Sequence, residues 1–324
     1  MSAPRQNDYI YASARIGVLE NAILTKEQYD KLIFAPAGME RQMLISFGYP
    51  KMEKAPLSEM LEKRVKEAFD TVCETVSDGS AFDALRYPYD CMNLKAVIKC
   101  SLRTGFRAEE FLSDIGTVPP EKAAQGLREG DFSPYPSHMA GAAAQVTEAY
   151  PKTSDPSIID AALDRACFLD MKAAAQASGI PELSEYVMRK IDVVNTVMCA
   201  RLMENTGNRS EDVFLAGGSV SREKLSACLA AGSFTKEVFR DTLLEVVTEE
   251  ILSDEAPAAL ERVLDLFEMK QIAPYQNAYF GAARLIGYLL AYEAEVKNLR
   301  IILAGRIAGD AGEKIRERLR GIYV

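Results

Sequence analysis

In the stretch LSEMLEKRVKEAF the apolar residues Leu57, Met60, Leu61, Val65 and Phe69 recur at steps of three and four. That spacing places them on one face of a helix. TLLEVVTEEIL repeats the pattern and predicts a further helix. Strand-like alternation over several residues is hard to find. Gly and Pro fall between the periodic segments, as at Ser133-Pro134-Tyr135-Pro136 and Ser154-Asp155-Pro156. Helix starts are signed by Thr25 with Gln28 and by Asp310 with Glu313, which fit capping boxes, and by Pro119-Pro120, which suits a first turn. The pattern predicts an all-α chain.

One phrase recurs along these helices. An acid, two residues and an Asn occur at Asp90/Asn93, Asp192/Asn195 and Glu295/Asn298. Leu94 and Leu299 follow two of the Asn residues, but Thr196 follows the other. Downstream, FLSDIGTVPPEK from Phe111 echoes FLAGGSVSREK from Phe214, and glycines follow at Gly105, Gly207 and Gly309. RIGVLENAILTKEQYDKL, near the start, reads as half of another copy. An ordered series at nearly constant offset predicts triplication, with repeats at 51–132, 133–235 and 236–324 and residues 1–50 completing the set. Acid and Asn stand on one helix face. The expected role is a packing clamp, in which the Asn bonds a neighbouring backbone and the acid pairs with a base on the next helix. The alternative is direct contact with a partner. Lys95 and Arg300, two residues after their Asn, are candidate partner contacts.

Composition narrows the function. A net charge of −9 over 324 residues disfavours nucleic acid and anionic lipid, and suits a basic protein partner. From Asp241 to Met269 nine acids face one base, Arg262. Asp241, Glu245 and Glu249 would share one helical row, read either as a solvated face or as a docking surface. The six cysteines form no C-x-x-C and match no zinc pattern, so buried reduced thiols are expected. The N-terminal residues lack the apolar core of a signal peptide, and the apolar run Leu285–Tyr292 is far shorter than a membrane span. The expectation is a protein without a membrane span, on the cytoplasmic side.

No catalytic, metal or cofactor constellation is visible. The sole histidine, His138, is expected to be solvated in a loop. Walker and G-x-G-x-x-G sequences do not occur. Asp160, Asp164 and Asp170 do not form an aspartate-rich magnesium motif. The glycines of LAGGSVS suit a connecting turn better than an anion-binding nest.

Three stretches carry a resemblance. YEAEVKNLRIILAGRIAGDAGEKIRERL resembles the C-terminal signature of the C subunit of V-type/A-type ATPases and ATP synthases, the family of the eukaryotic V-ATPase d subunit. YDCMNLKAVIKC is similar to its internal signature, and DYIYASARIGVLENAILTKEQYDKL to its start. Ser13 and Gly17 depart from a region where that family commonly has Asn and Arg. The resemblance implies three similar helical units around a pseudo-threefold axis, forming a funnel-shaped socket. It further implies a non-catalytic rotor part on the cytoplasmic face of the membrane. Its expected partners are central-stalk subunits of the ATPase head and the rotor ring of proteolipid subunits. Competing readings are an unrelated all-α scaffold and an all-α enzyme with a site assembled in space.

Overall fold

The computed structural model describes residues 9–102, 107–153, 156–204 and 213–323, the side chains of 151–153 excepted. Gly105 and Gly207 therefore lie outside the described residues. Among those described, every regular element is a helix and no strand occurs. Contacts divide the chain into two compact units, Ser80–Thr248 and a second made of Ser2–Gly79 with Glu249–Val324.

The second unit opens with α1 (Ile10–Leu19), α2 (Lys26–Ile33), α3 (Glu40–Ser46) and α4 (Leu57–Thr75). In α4 the buried positions are Met60, Leu61, Val65, Ala68, Phe69 and Val72; of the stripe read from the sequence, all but the half-buried Leu57 are among them. Thr25 and Gln28 form the capping box of α2, with the Thr25 N–H donating to the Gln28 side chain at 2.9 Å. The first unit holds α5 (Asp83–Ser101), α6 (Glu121–Glu129), α7 (Ser137–Thr153), α8 (Ser157–Ser178), α9 (Pro181–Glu204), α10 (Arg222–Ala231) and α11 (Lys236–Phe239). There α8 packs against α5, α7 and α9 and buries Leu163, Ala166, Cys167 and Met171.

The second unit closes with α12 (Thr248–Ser253), whose first residue still belongs to the first unit, α13 (Pro257–Ile272), α14 (Ala283–Ile307) and α15 (Gly312–Glu317). Of these, α14 is its central helix, packed by α1, α2, α4 and α15. All eight residues of the apolar run Leu285–Tyr292 are buried, because protein covers that part of α14 on every side. Among the described residues no helix is long and apolar enough to cross a membrane.

Three local expectations are corrected. TLLEVVTEEIL is not one helix: a turn at Asp241–Leu244 and a 3₁₀ turn at Glu245–Val247 precede α12. Asp241 adopts φ 59° and its N–H donates to the Glu245 carboxylate at 3.1 Å, so the side chain bonds locally where a helix would need the backbone. The capping box at Asp310 does not form, because α15 starts at Gly312. The Asp310 carboxylate turns to Lys314 at 2.6 Å and Arg318 at 3.0 Å. His138 is not in a free loop. It lies in the first turn of α7, where its Nδ1 meets the Asp170 carboxylate at 2.7 Å. That carboxylate also accepts the N–H groups of His138 and Met139 at 3.1 and 2.8 Å, serving the donors a helix start leaves open.

Candidate functional site

Asp90 and Asn93 sit one turn apart on α5 with no exposed surface. The Asn93 amide bridges Ser113 in both directions, accepting its N–H at 2.8 Å and donating to its carbonyl at 2.7 Å. Asp90 accepts the N–H of Thr117 at 3.0 Å, the Thr117 hydroxyl at 2.7 Å and the N–H of Val118 at 3.0 Å. Arg86, one turn earlier, donates to the carbonyls of Ile115 at 2.9 Å and Gly116 at 2.5 Å. The segment from Ser113 to Val118 makes no helix of its own, so α5 supplies the partners its buried backbone needs.

The second copy repeats the Asp and Asn bonds one for one, with Met188 standing where the first copy has Arg86. On α9, Asn195 accepts from and donates to Leu215 at 2.8 and 2.9 Å. Asp192 accepts the Ser219 N–H at 3.0 Å, the Ser219 hydroxyl at 2.6 Å and the Val220 N–H at 2.9 Å. The separations are the same in both copies: 20 residues for the Asn bonds, 27 for the hydroxyl residue and 28 for the valine. Gly116 and Gly218 precede the hydroxyl residues, and a Cβ on either would collide with the clamp carboxylate. Both copies therefore need glycine for the close approach. The two glycines of LAGGSVS thus open a turn in which the N–H groups of Ser219 and Val220 donate to the Asp192 carboxylate. Gly116 holds the corresponding place in the first copy. Thr196, the misfit of the phrase, is buried and donates its hydroxyl to the Asp192 carbonyl at 2.8 Å, which satisfies it in the place of an aliphatic side chain. The Phe-Leu pairs of the two echoes lie one residue out of register with this bonding.

The third copy keeps the Asn and redirects the acid. Asn298 accepts the N–H of Arg320 at 2.7 Å, and its amide nitrogen lies 3.4 Å from the carbonyls of Arg320 and Gly321. Glu295 reaches back to the N-terminal segment, accepting the Leu24 N–H at 2.5 Å and the Tyr49 hydroxyl. Among the described residues none of the three acids takes a Lys or Arg as its hydrogen-bond partner, which corrects the expected acid–base pairing. The segments they hold offer backbone N–H groups and hydroxyls that would otherwise be buried without acceptors. Burial raises the pKa of Asp90 and Asp192 from the ordinary aspartate value, against the opposing pull of these donors. Burial pushes Glu295 up to about 7.

The constellation spans the chain from Leu24 to Gly321, and so does the likeness to known proteins. The family model of the ATP synthase (C/AC39) subunit matches residues 12–318. The chain belongs to this family. It is 24% identical to the C subunit of the V-type sodium ATPase of Enterococcus hirae, over 87% of this chain and 86% of that protein. It is 25% identical to the C subunit of the A-type ATP synthase of Haloferax volcanii, over 92% and 93%. The corresponding A-type protein of Haloquadratum walsbyi is 22% identical, over 95% and 96%.

In this member of the C/AC39 family the departures at Ser13 and Gly17 have a structural counterpart. A Cβ on Gly17 would lie 2.7 Å from the guanidinium carbon of Arg284, so the glycine leaves room for an arginine that α14 provides. Arg284 donates to Glu20 at 3.0 and 2.7 Å. Ser13 is buried, its hydroxyl 3.5 Å from the Gly281 carbonyl. Sequence reading missed two further staples of the N-terminal helices. Arg306 donates to the carbonyls of Ile33 and Ala35 at 2.9 Å each and to Glu40. Arg316 donates to Asp30 at 2.9 Å and lies over the Phe34 ring. The base-rich C-terminal stretch was their only signal.

The candidate partner residues are placed as follows. Lys95 pairs with Asp164 at 2.5 Å, and Lys99 with Asp160 at 2.6 Å. Arg300 meets Glu62 at 3.2 Å while staying half exposed. Asp241, Glu245 and Glu249 are exposed but share no helical row, since Asp241 stands in a turn before the 3₁₀ segment. Among the described residues no cluster of His, Cys, Asp and Glu could hold a metal ion. None of the six cysteines forms a disulfide among the described residues, and four of them are buried.

Proposed function

We propose that this chain is the non-catalytic rotor C subunit of a V-type/A-type ATPase or ATP synthase. In this reading it joins the central stalk of the soluble head to the membrane ring of proteolipid subunits, on the cytoplasmic side, and so couples ATP turnover to ion transport. The match of the family to residues 12–318 carries the reading. Relatives named as the C subunits of V-type and A-type machines, aligned over most of both chains, support it. The repeats 51–132, 133–235 and 236–324, with residues 1–50, would then form three walls of a funnel-shaped socket. The acid–Asn pairs serve as clamps that lock each long helix to a non-helical segment. A torque-bearing adaptor needs stiffness, which helices packed at crystal-like density supply. Pull-down of the tagged chain from native membranes tests the proposal. Central-stalk and ring subunits should come with it, and their absence from a stable, folded bait would sink the idea.

The exposed acids supply a finer test. Rotor-ring loops on the cytoplasmic side tend to be rich in Lys and Arg, which an acidic surface complements. Asp241→Asn, Glu245→Gln and Glu249→Gln together should weaken assembly and flatten its dependence on salt. Unchanged assembly with an unchanged salt profile would make the segment a solvated face.

A further inference from the structure

The third acid is wired differently from the first two. Asp90 and Asp192 hold segments that follow them in the chain, whereas Glu295 holds Leu24 and Tyr49, 271 and 246 residues earlier. It is 1% exposed, and among the described residues no lysine or arginine forms an ion pair with it. The cation whose field reaches it is Arg64 of α4. That guanidinium is engaged elsewhere: it lies over the rings of Tyr49 at 5.8 Å and Tyr292 at 4.9 Å, and donates to the Tyr292 hydroxyl at 2.8 Å. The remaining titratable neighbours are phenols: Tyr29 of α2, Tyr49 after α3, and Tyr288 and Tyr292 of α14 itself. Burial raises all four above the ordinary tyrosine range, so they stay neutral near pH 7. Glu295 is thus the group of this cluster that changes charge near neutrality. A buried carboxylate with two donors and no counter-ion is a costly charge, and its protonated form is not.

We propose that Glu295 is a proton-operated latch: its neutral carboxyl holds the segment from Leu24 to Tyr49 against α14, and its ionisation loosens that hold. The direction follows from proton linkage. Burial raises the closed-state pKa from 4.5 to about 7, outweighing the Leu24 N–H, the Tyr49 hydroxyl and Arg64, which all lower it. When the segment lifts away, the carboxyl meets water and returns to its ordinary range. Between those two values the closed form holds a proton that the open form has released. Closure therefore weakens as pH rises toward 7, and changes no further above it. Acidification tightens the latch.

The latch belongs to the isolated chain and stands apart from the rotary reading. Its test is amide hydrogen exchange at Leu24 from pH 5 to 8, corrected for the intrinsic rate. The Leu24 protection factor should fall with rising pH by up to roughly tenfold per unit, then level off above neutrality. In Glu295→Gln the side chain stays neutral, with one acceptor and one donor for the same partners, and protection should be flat across the range. Tyr49→Phe removes a hydroxyl that favours the charged form, so the slope should extend to higher pH. A flat wild-type profile, or the same slope in Glu295→Gln, would overturn the latch. If Glu295→Gln does not fold, an unshifted Tyr49→Phe profile would overturn it equally.

Discussion

Alanine in place of Asp192 should destabilise the isolated protein by about 3–4 kcal/mol, because three hydrogen bonds to a charged group end there and the N–H groups of Ser219 and Val220 are left without an acceptor. Asp90→Ala should behave alike, since its three bonds are the same. Gly218→Ala and Gly116→Ala should approach that loss without removing any donor or acceptor, because the added Cβ displaces the carboxylate. Asn93→Leu and Asn195→Leu each break a two-way bridge and should cost about 1–3 kcal/mol. Asn298→Leu should cost less, as its amide nitrogen sits at 3.4 Å from its carbonyls. Thermal unfolding followed by circular dichroism gives the ranking, with the exposed Glu237→Ala as control. Midpoints unchanged across the Asp and Asn variants, with partner binding lost, would show that these residues are contacts and not clamps.

How much of this was legible depends on what each feature requires. The all-helical fold was legible, because apolar residues at steps of three and four can be buried only on a helix face. The acid–Asn phrase was legible because both side chains act from within a helix, where spacing is fixed. What each acid would hold was not. Asp90 and Asp192 find their partners 27 and 28 residues on, in segments without regular structure, and only the Gly-hydroxyl-Val echo hinted at them. Glu295 was harder still: its partners lie 246 and 271 residues away, and nothing in the phrase around Asn298 distinguishes it except one extra methylene. The acidic row fails for a local reason. Helical periodicity assigns Asp241 to a helix, while a short carboxylate–backbone bond holds it in a left-handed turn. His138 reads as loop because the Pro-rich stretch before it is visible and its helix-capping acid, 32 residues later, is not.

The largest effect belongs to the assembly. If the chain is the link between an ATPase head and a membrane ring, its removal deletes no catalytic group. It cuts the path by which rotation reaches the ring. Membranes from a deletion strain should keep ATP hydrolysis in the head subunits, and those subunits should wash off more readily. ATP-driven ion transport into the vesicles should fall to background, because turnover without a connected rotor moves no ion. Adding the purified chain back should restore both retention and transport, as expected of a part that works by binding. The clamp variants sharpen the test. Asp192→Ala should restore transport at low temperature, where it still folds, and lose it near its lowered midpoint, so that failure tracks unfolding. Transport at wild-type level in membranes without the chain would remove the coupling role, whatever the stability of the clamps.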